Sequence, residues 1–168
     1  MNCKDCFWKF DKECEHCYKW RNIMKAKQIK VKYLREYMDR IHLIKNGDWI
    51  DLRTGVDVFM KKGDFQLIPL GVAIQLPENT EALLIPRSST FKKYGIIQAN
   101  SVGLIDESYC GEQDEWMFPA YATKDIVIPK NTRICQFRIQ EHQPLVKITE
   151  VEHLSGENRG GFGSTGER

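Results

Sequence analysis

Residues 159–168 read RGGFGSTGER, with four glycines, two hydroxyl residues, one aromatic ring, two arginines and no aliphatic side chain. Such a stretch has nothing to bury, and its glycines make ordering costly. One fate for it is a frayed end. The other is a flap that orders over a ligand. Backbone N–H groups freed by glycine, together with Arg159, Ser164 and Thr165, suit a polyphosphate, while Phe162 offers a face to a base.

Four further polar clusters carry usable chemistry. In DWIDLR, Asp51 lies between apolar neighbours, where a carboxylate either caps a turn or holds the water of a metal ion. In PRSST, Arg87, Ser88 and Ser89 offer a guanidinium fork and two hydroxyls, fit for a phosphate and equally for a plain polar turn. In NSVGLIDESY, Gly103 permits a tight hairpin, Asp106 can serve as a general base or cap its own turn, and Tyr109 adds an aromatic wall. In RICQFRI, Gln136 sits in an apolar run and needs a partner from protein, water or ligand.

Six cysteines need a separate account. Cys3, Cys6, Cys14 and Cys17 form two C-x-x-C pairs, the pattern that places two thiolates on one side of a tetrahedral zinc. Their spacer is shorter than the roughly fifteen residues usual between such pairs, so structural zinc stands against reduced free thiols, with His16 as a substitute ligand. Cys110 and Cys135 lie singly in apolar stretches and read as small core residues.

The elements that must position these groups are short. Ile29, Val31 and Tyr33 alternate as a half-buried strand does. Runs such as VDVFM, FQLIPLGVAIQLP, EALLIP, EWMFPAYA, DIVIP, RICQFRI and PLVKITEVEHL follow, each bounded by turn residues. Helical periodicity is weak apart from one turn across residues 88–94. The chain therefore reads as an all-β barrel or jelly roll. With 168 residues and 42% hydrophobic content it supports one core and a small appendage. A net charge of +2 argues against general nucleic-acid binding. No apolar run reaches membrane-spanning length and no signal-peptide pattern is present, so a soluble cytoplasmic protein is expected.

Taken together and in this order, WIDLR, PRSST, NSVGLIDESY, RICQFRI and RGGFGSTG resemble the motifs of the trimeric dUTPase family, above all its Bacillus and phage members. The resemblance implies a dUTPase-like jelly-roll barrel over residues 28–154. A flexible C-terminal lid over 155–168 and a cysteine-rich appendage over 1–27 complete the expected organisation. The implied reaction is Mg²⁺-assisted hydrolysis of dUTP to dUMP and pyrophosphate, which limits uracil in DNA and supplies dUMP. By resemblance, Asp106 activates the water, Gln136 positions it, and Arg87, Ser88 and Ser89 hold the phosphates. Asp51 would hold waters of the Mg²⁺ shell. Asn100, Gly103 and Ile105 would form the uracil pocket, and Tyr109 would pack on the deoxyribose. From a neighbouring subunit of a homotrimer, Phe162 would cover the base, while Arg159, Gly163, Ser164 and Thr165 would close on the phosphates. Two alternatives remain: a dCTP deaminase-like enzyme of the same fold, and an added protein-binding role, such as repressor binding, through the appendage.

Overall fold

The structure is a computed structural model that describes residues 27–43, 47–158 and 160–161. The four paired cysteines, Arg159, Phe162, Gly163, Ser164 and Thr165 lie outside the described residues. Among the described residues, eleven strands and one short helix occur in the order β1 (Lys30–Tyr33), β2 (Ile50–Arg53), β3 (Val58–Met60), β4 (Phe65–Pro69), β5 (Val72–Gln75), β6 (Thr80–Pro86), α1 (Thr90–Tyr94), β7 (Ile96–Gln98), β8 (Gly103–Asp106), β9 (Met117–Ala122), β10 (Ile126–Ile128) and β11 (Arg133–Glu141). They pair antiparallel into four small sheets, β1-β5, β3-β10, β2-β11-β6-β8 and β4-β9-β7. The expected all-β architecture is what forms. No helix of the described residues is long and apolar enough to cross a membrane.

Period-two patterning builds the core. Along β9, Phe118, Ala120 and Ala122 are buried while Met117 and Tyr121 face out. The centre is a Trp116–Phe137 edge-to-face pair with ring centroids 5.1 Å apart, in a geometry that favours the ring quadrupoles. Leu52, Ile68, Leu84 and Ile134 fill the space around it.

One strand breaks the alternation. On β11 both Ile134 and Cys135 are fully buried, because the register against β2 shifts between Arg133 and Cys135. This is a β-bulge: Arg133 faces Arg53 while Cys135 faces Leu52, leaving Ile134 as the extra residue. Burial also pushes the Cys135 thiol well above its ordinary value, as desolvation disfavours a thiolate. Cys135 thus fits the core role expected of it. Cys110 does not, because it lies exposed in the turn after β8.

One other expectation changes. PLVKITEVEHL forms no strand: the last strand ends at Glu141, and residues 142–158 continue without regular structure. Leu145, Ile148 and Leu154 are almost wholly exposed there, so these side chains have no apolar partner among the described residues.

Replacing Phe137 with Ala is expected to destabilise the fold by about 3–5 kcal/mol, the usual cost of deleting a core aromatic. Denaturant unfolding measures it. A loss below roughly 1 kcal/mol would show that Phe137 does not carry the core.

Candidate functional site

Four of the five clusters lie on the β2-β11-β6-β8 sheet and its exits, and the fifth, RGGFGSTG, lies outside the described residues apart from Gly160 and Gly161. Asp51 lies on β2 directly opposite Gln136 on β11, and Gln136 lies opposite Ile85 on β6. Directly paired residues share one face of a sheet, so Asp51 and Gln136 stand side by side on the surface opposite the core residues Cys135 and Phe137. The Asp51 carboxylate is only 9% exposed and is held by two arginines. Arg87 Nε donates to its Oδ1 at 2.8 Å, and Arg133 Nη1 donates to its Oδ2 at 3.2 Å. The bulge makes the second contact reachable by placing Arg133 diagonal to Asp51 across the ladder.

The same bulge anchors PRSST. The Ile134 carbonyl accepts from Arg87 N–H at 3.3 Å and from the Thr90 hydroxyl at 2.6 Å. The turn between β6 and α1 is therefore tied to β11 at the point where β11 also presents Arg133. Ser89 sits at the helix N-cap without a side-chain capping bond, and Ser88 is exposed beside it. Arg87 uses Nε on Asp51, so its two Nη groups remain for a phosphate. An anion arriving here meets a guanidinium fork, two hydroxyls and the Gln136 amide.

The hairpin forms a second locus. A cavity of about 380 Å³ is lined by Asn100, Gly103, Ile105, Asp106 and Tyr109, with Leu84, Trp116 and Pro119 behind them. Gly103 does not supply the turn. The left-handed residue is Ser101, at φ +64°, and Gly103 is the first residue of β8. Its glycine character is instead a packing requirement, since a Cβ there would sit 3.2 Å from Leu84 Cβ and 3.3 Å from Gln98 Nε2.

Asp106 closes β8 and is exposed at the cavity edge. Its Oδ1 accepts from the Ser108 N–H at 2.9 Å and from the Ser108 hydroxyl. These bonds, the hydroxyl first, hold its carboxyl below the usual Asp value and keep it ionised at neutral pH. Both readings of Asp106 are thus compatible in one residue: Oδ1 caps the turn, and Oδ2 takes part in neither bond.

Tyr109 is braced from behind. Its hydroxyl donates to the Glu115 carbonyl at 3.3 Å. The Glu115 carboxylate in turn accepts the Arg35 fork at 2.5 and 3.2 Å and the Gly71 N–H at 2.8 Å. Neither Arg35 nor Glu115 stands out in the sequence, where both look like surface charges. Only the fold brings them together, across 80 residues.

The two loci do not meet within one chain. Asp106 pairs opposite Glu81 at the start of β6, whereas Gln136 pairs opposite Ile85 near its end. Four residues of strand are about 13 Å, and the two flanking strands add roughly 10 Å across. The carboxylate and the phosphate-holding cluster of one chain are thus too far apart to act on one phosphorus.

Among the described residues, no three His, Cys, Asp or Glu side chains come together as a metal cluster. Asp51 has committed one oxygen to each arginine, leaving about two of its four lone-pair positions. That fits Mg²⁺ held chiefly by phosphate oxygens and water, reached from Asp51 through a water. It does not fit an ion ligated by protein alone.

The sequence model of the dUTPase family matches residues 49–166. The SPbeta prophage-derived deoxyuridine 5'-triphosphate nucleotidohydrolase of Bacillus subtilis is 57% identical over 139 residues, covering 83% of this chain and 98% of that protein. In fold, the chain is similar to a Staphylococcus bacteriophage 80alpha dUTPase mutant solved with dUpNHpp, at a TM-score of 0.66, 21% identity and coverage of 83% and 98%. It is also similar to a mutant dUTPase of phage phi11 of S. aureus, whose structure coordinates a structural Mg(II) ion, at a TM-score of 0.62, 16% identity and coverage of 77% and 99%. The matched span begins at Trp49 and ends at Gly166, so it takes in all five clusters, and the chain belongs to the dUTPase family.

Proposed function

We propose that this dUTPase hydrolyses dUTP to dUMP and pyrophosphate in sites built from several copies of the chain. One copy supplies the base pocket and Asp106, and another supplies Arg87, Ser88, Ser89 and Gln136. The observation that carries this is the separation of the two loci along β6. A second supports it. The outward face of the β4-β9-β7 sheet aligns Phe65, Tyr121 and Ile97 in one cross-strand row, with Leu67 beside them, all exposed. An apolar face of this kind suits burial against another copy, in keeping with the homotrimer that the sequence leads one to expect.

In the proposed reaction, Asp106 accepts a proton from a water that attacks the α-phosphorus. A water O–P bond forms, the P–O bond to the β-phosphate breaks, and pyrophosphate leaves. Gln136 orients that water, and Ser88 donates to the oxygen that departs. Arg87 and Ser89 hold the chain against the charge that develops. Mg²⁺ on the triphosphate would offset phosphate charge, with Asp51 as its holder through water. Asn100 and the β8 backbone read the uracil edge, Ile105 lines the pocket, and Tyr109 closes the space that a 2′-hydroxyl would need.

Arg159, Phe162, Gly163, Ser164 and Thr165 act as a lid from a neighbouring copy. Support comes from residues 143–158, which leave the barrel exposed and without a strand partner among the described residues. The deaminase alternative requires a free glutamate at the pocket. Glu115 lines it, but its carboxylate is committed to Arg35 and Gly71, which favours the hydrolase. The appendage is proposed as a zinc knuckle with one ion on Cys3, Cys6, Cys14 and Cys17, on the strength of its C-x-x-C spacing alone. A protein partner docking there belongs to the same proposal.

Asp106→Asn should retain dUTP binding and lose about 10²–10⁴-fold in turnover, the usual cost of removing a general base. Near wild-type release of pyrophosphate would remove Asp106 from the base role. Ser108→Ala tests the same carboxylate through pH. Losing a hydrogen bond to the ionised form raises the Asp106 pKa, so the acid limb of kcat/KM should move to higher pH than in wild type. A limb that stays put, or moves down, contradicts the assignment. Truncation after Leu154 should leave the melting temperature close to that of the full chain and lower turnover by orders of magnitude. Full activity in the truncated chain would exclude a lid.

A further inference from the structure

Gln98 stands in the strand IIQ as a polar residue, and its side chain is buried to within 4% of complete enclosure. Its Nε2 donates to the Leu84 carbonyl at 3.0 Å and to Asn100 Oδ1 at 3.0 Å. Its Oε1 has no hydrogen-bond partner among the described residues. A buried acceptor left in this state costs about 1–3 kcal/mol, so a core-filling role alone would favour an aliphatic residue here. The amide group earns its place through what its NH₂ end holds.

The orientation of both amides follows from chemistry. The Leu84 carbonyl can only accept, which fixes the Gln98 atom facing it as the NH₂ group. The same NH₂ faces Asn100, which fixes the Asn100 atom there as its carbonyl oxygen. Asn100 lines the hairpin cavity while Gln98 does not. Gln98 takes one of the two lone pairs of the Asn100 oxygen and fixes the flip of the amide, so its NH₂ group is the end without a partner among the described residues. Gly103 permits this arrangement, since any side chain there would press on the Gln98 amide.

We propose that Gln98 is a positioning residue for base selection: by holding the Asn100 oxygen, it makes Asn100 a donor toward the pocket and so favours uracil over cytosine. This rests on the reading that the cavity takes the base. Uracil presents an acceptor at O4, which an N–H donor satisfies. Cytosine presents an N4 amino donor at that position, which meets another donor and leaves both unpaired. An Asn100 amide free to rotate accepts from cytosine as readily as it donates to uracil.

The test is kcat/KM for dUTP and dCTP, by pyrophosphate release, in wild type, Gln98→Met, Gln98→Leu and Asn100→Asp. Leu84 remains paired with Phe137 and Gly103 in the Gln98 variants, so the sheet is retained, and the two substitutes differ in shape should one pack poorly. Both should raise the dCTP-to-dUTP ratio about tenfold, the worth of one hydrogen bond. Asn100→Asp, an acceptor without donors, should shift the ratio the same way. If the Gln98 variants lose activity on both nucleotides in proportion, Gln98 is structural only and the proposal is overturned. If Asn100→Asp shifts the ratio and neither Gln98 variant does, the base reading survives and the Gln98 proposal alone fails. If Asn100→Asp leaves the ratio unchanged, Asn100 does not read the base and both fall.

Discussion

The phosphate half of the site is organised by one nearly buried carboxylate. Asp51 holds Arg87 from the exit of β6 and Arg133 from the bulge of β11, so a single side chain on β2 fixes three segments. Breaking such a pair by removing one partner leaves an uncompensated buried charge, which is why the geometry holds without substrate. The pairing also aims the site. Because Nε of Arg87 faces Asp51, the remaining donors of its fork are available to an anion. The bulge supplies the rest, through the Ile134 carbonyl that ties down the PRSST turn and through the re-aimed Arg133.

β6 then acts as a spacer. At one end it borders the Asp51 cluster, and at the other it borders Asp106, with a full strand's length between them. In the proposed reading each chain carries half of two sites and oligomer formation is a condition of catalysis, with the exposed aromatic and aliphatic row on β4-β9-β7 as apolar area suited to burial against another copy. The stretch 142–158 also exposes Leu145, Ile148 and Leu154, which have nothing among the described residues to pack on.

Strand content and the five clusters were legible in the sequence, because period-two burial and turn residues are local signals. Asp51, Arg87 and Gln136 could be named, but their mutual contacts could not, since these depend on a bulge that leaves no signature in RICQFRI. Gly103 suggests a tight turn in the sequence, but Ser101 makes the left-handed turn, because a glycine needed for close packing looks the same as one needed for a positive φ. PLVKITEVEHL carries strand patterning, but it finds no strand partner among the described residues, and a strand needs a neighbour to form its ladder. Cys110 was misplaced because an apolar-looking neighbourhood in sequence became an exposed turn in space. Gln98 had a signal, a lone amide in an apolar strand, that gains meaning only once Leu84 and Asn100 are seen on either side of it.

The central claim is that Asp106 and Gln136 of one working site come from different chains. Co-refolding Asp106→Asn chains with Gln136→Ala chains tests it directly, with each variant assayed alone and the mixed oligomers verified by mass. Each pure variant should be nearly inactive, and the mixture should recover activity, since up to roughly a quarter of sites in random closed assemblies would hold both intact residues. A verified mixture no more active than its parents would mean that Asp106 and Gln136 serve the same site from one chain, and the account of a site divided along β6 would be wrong.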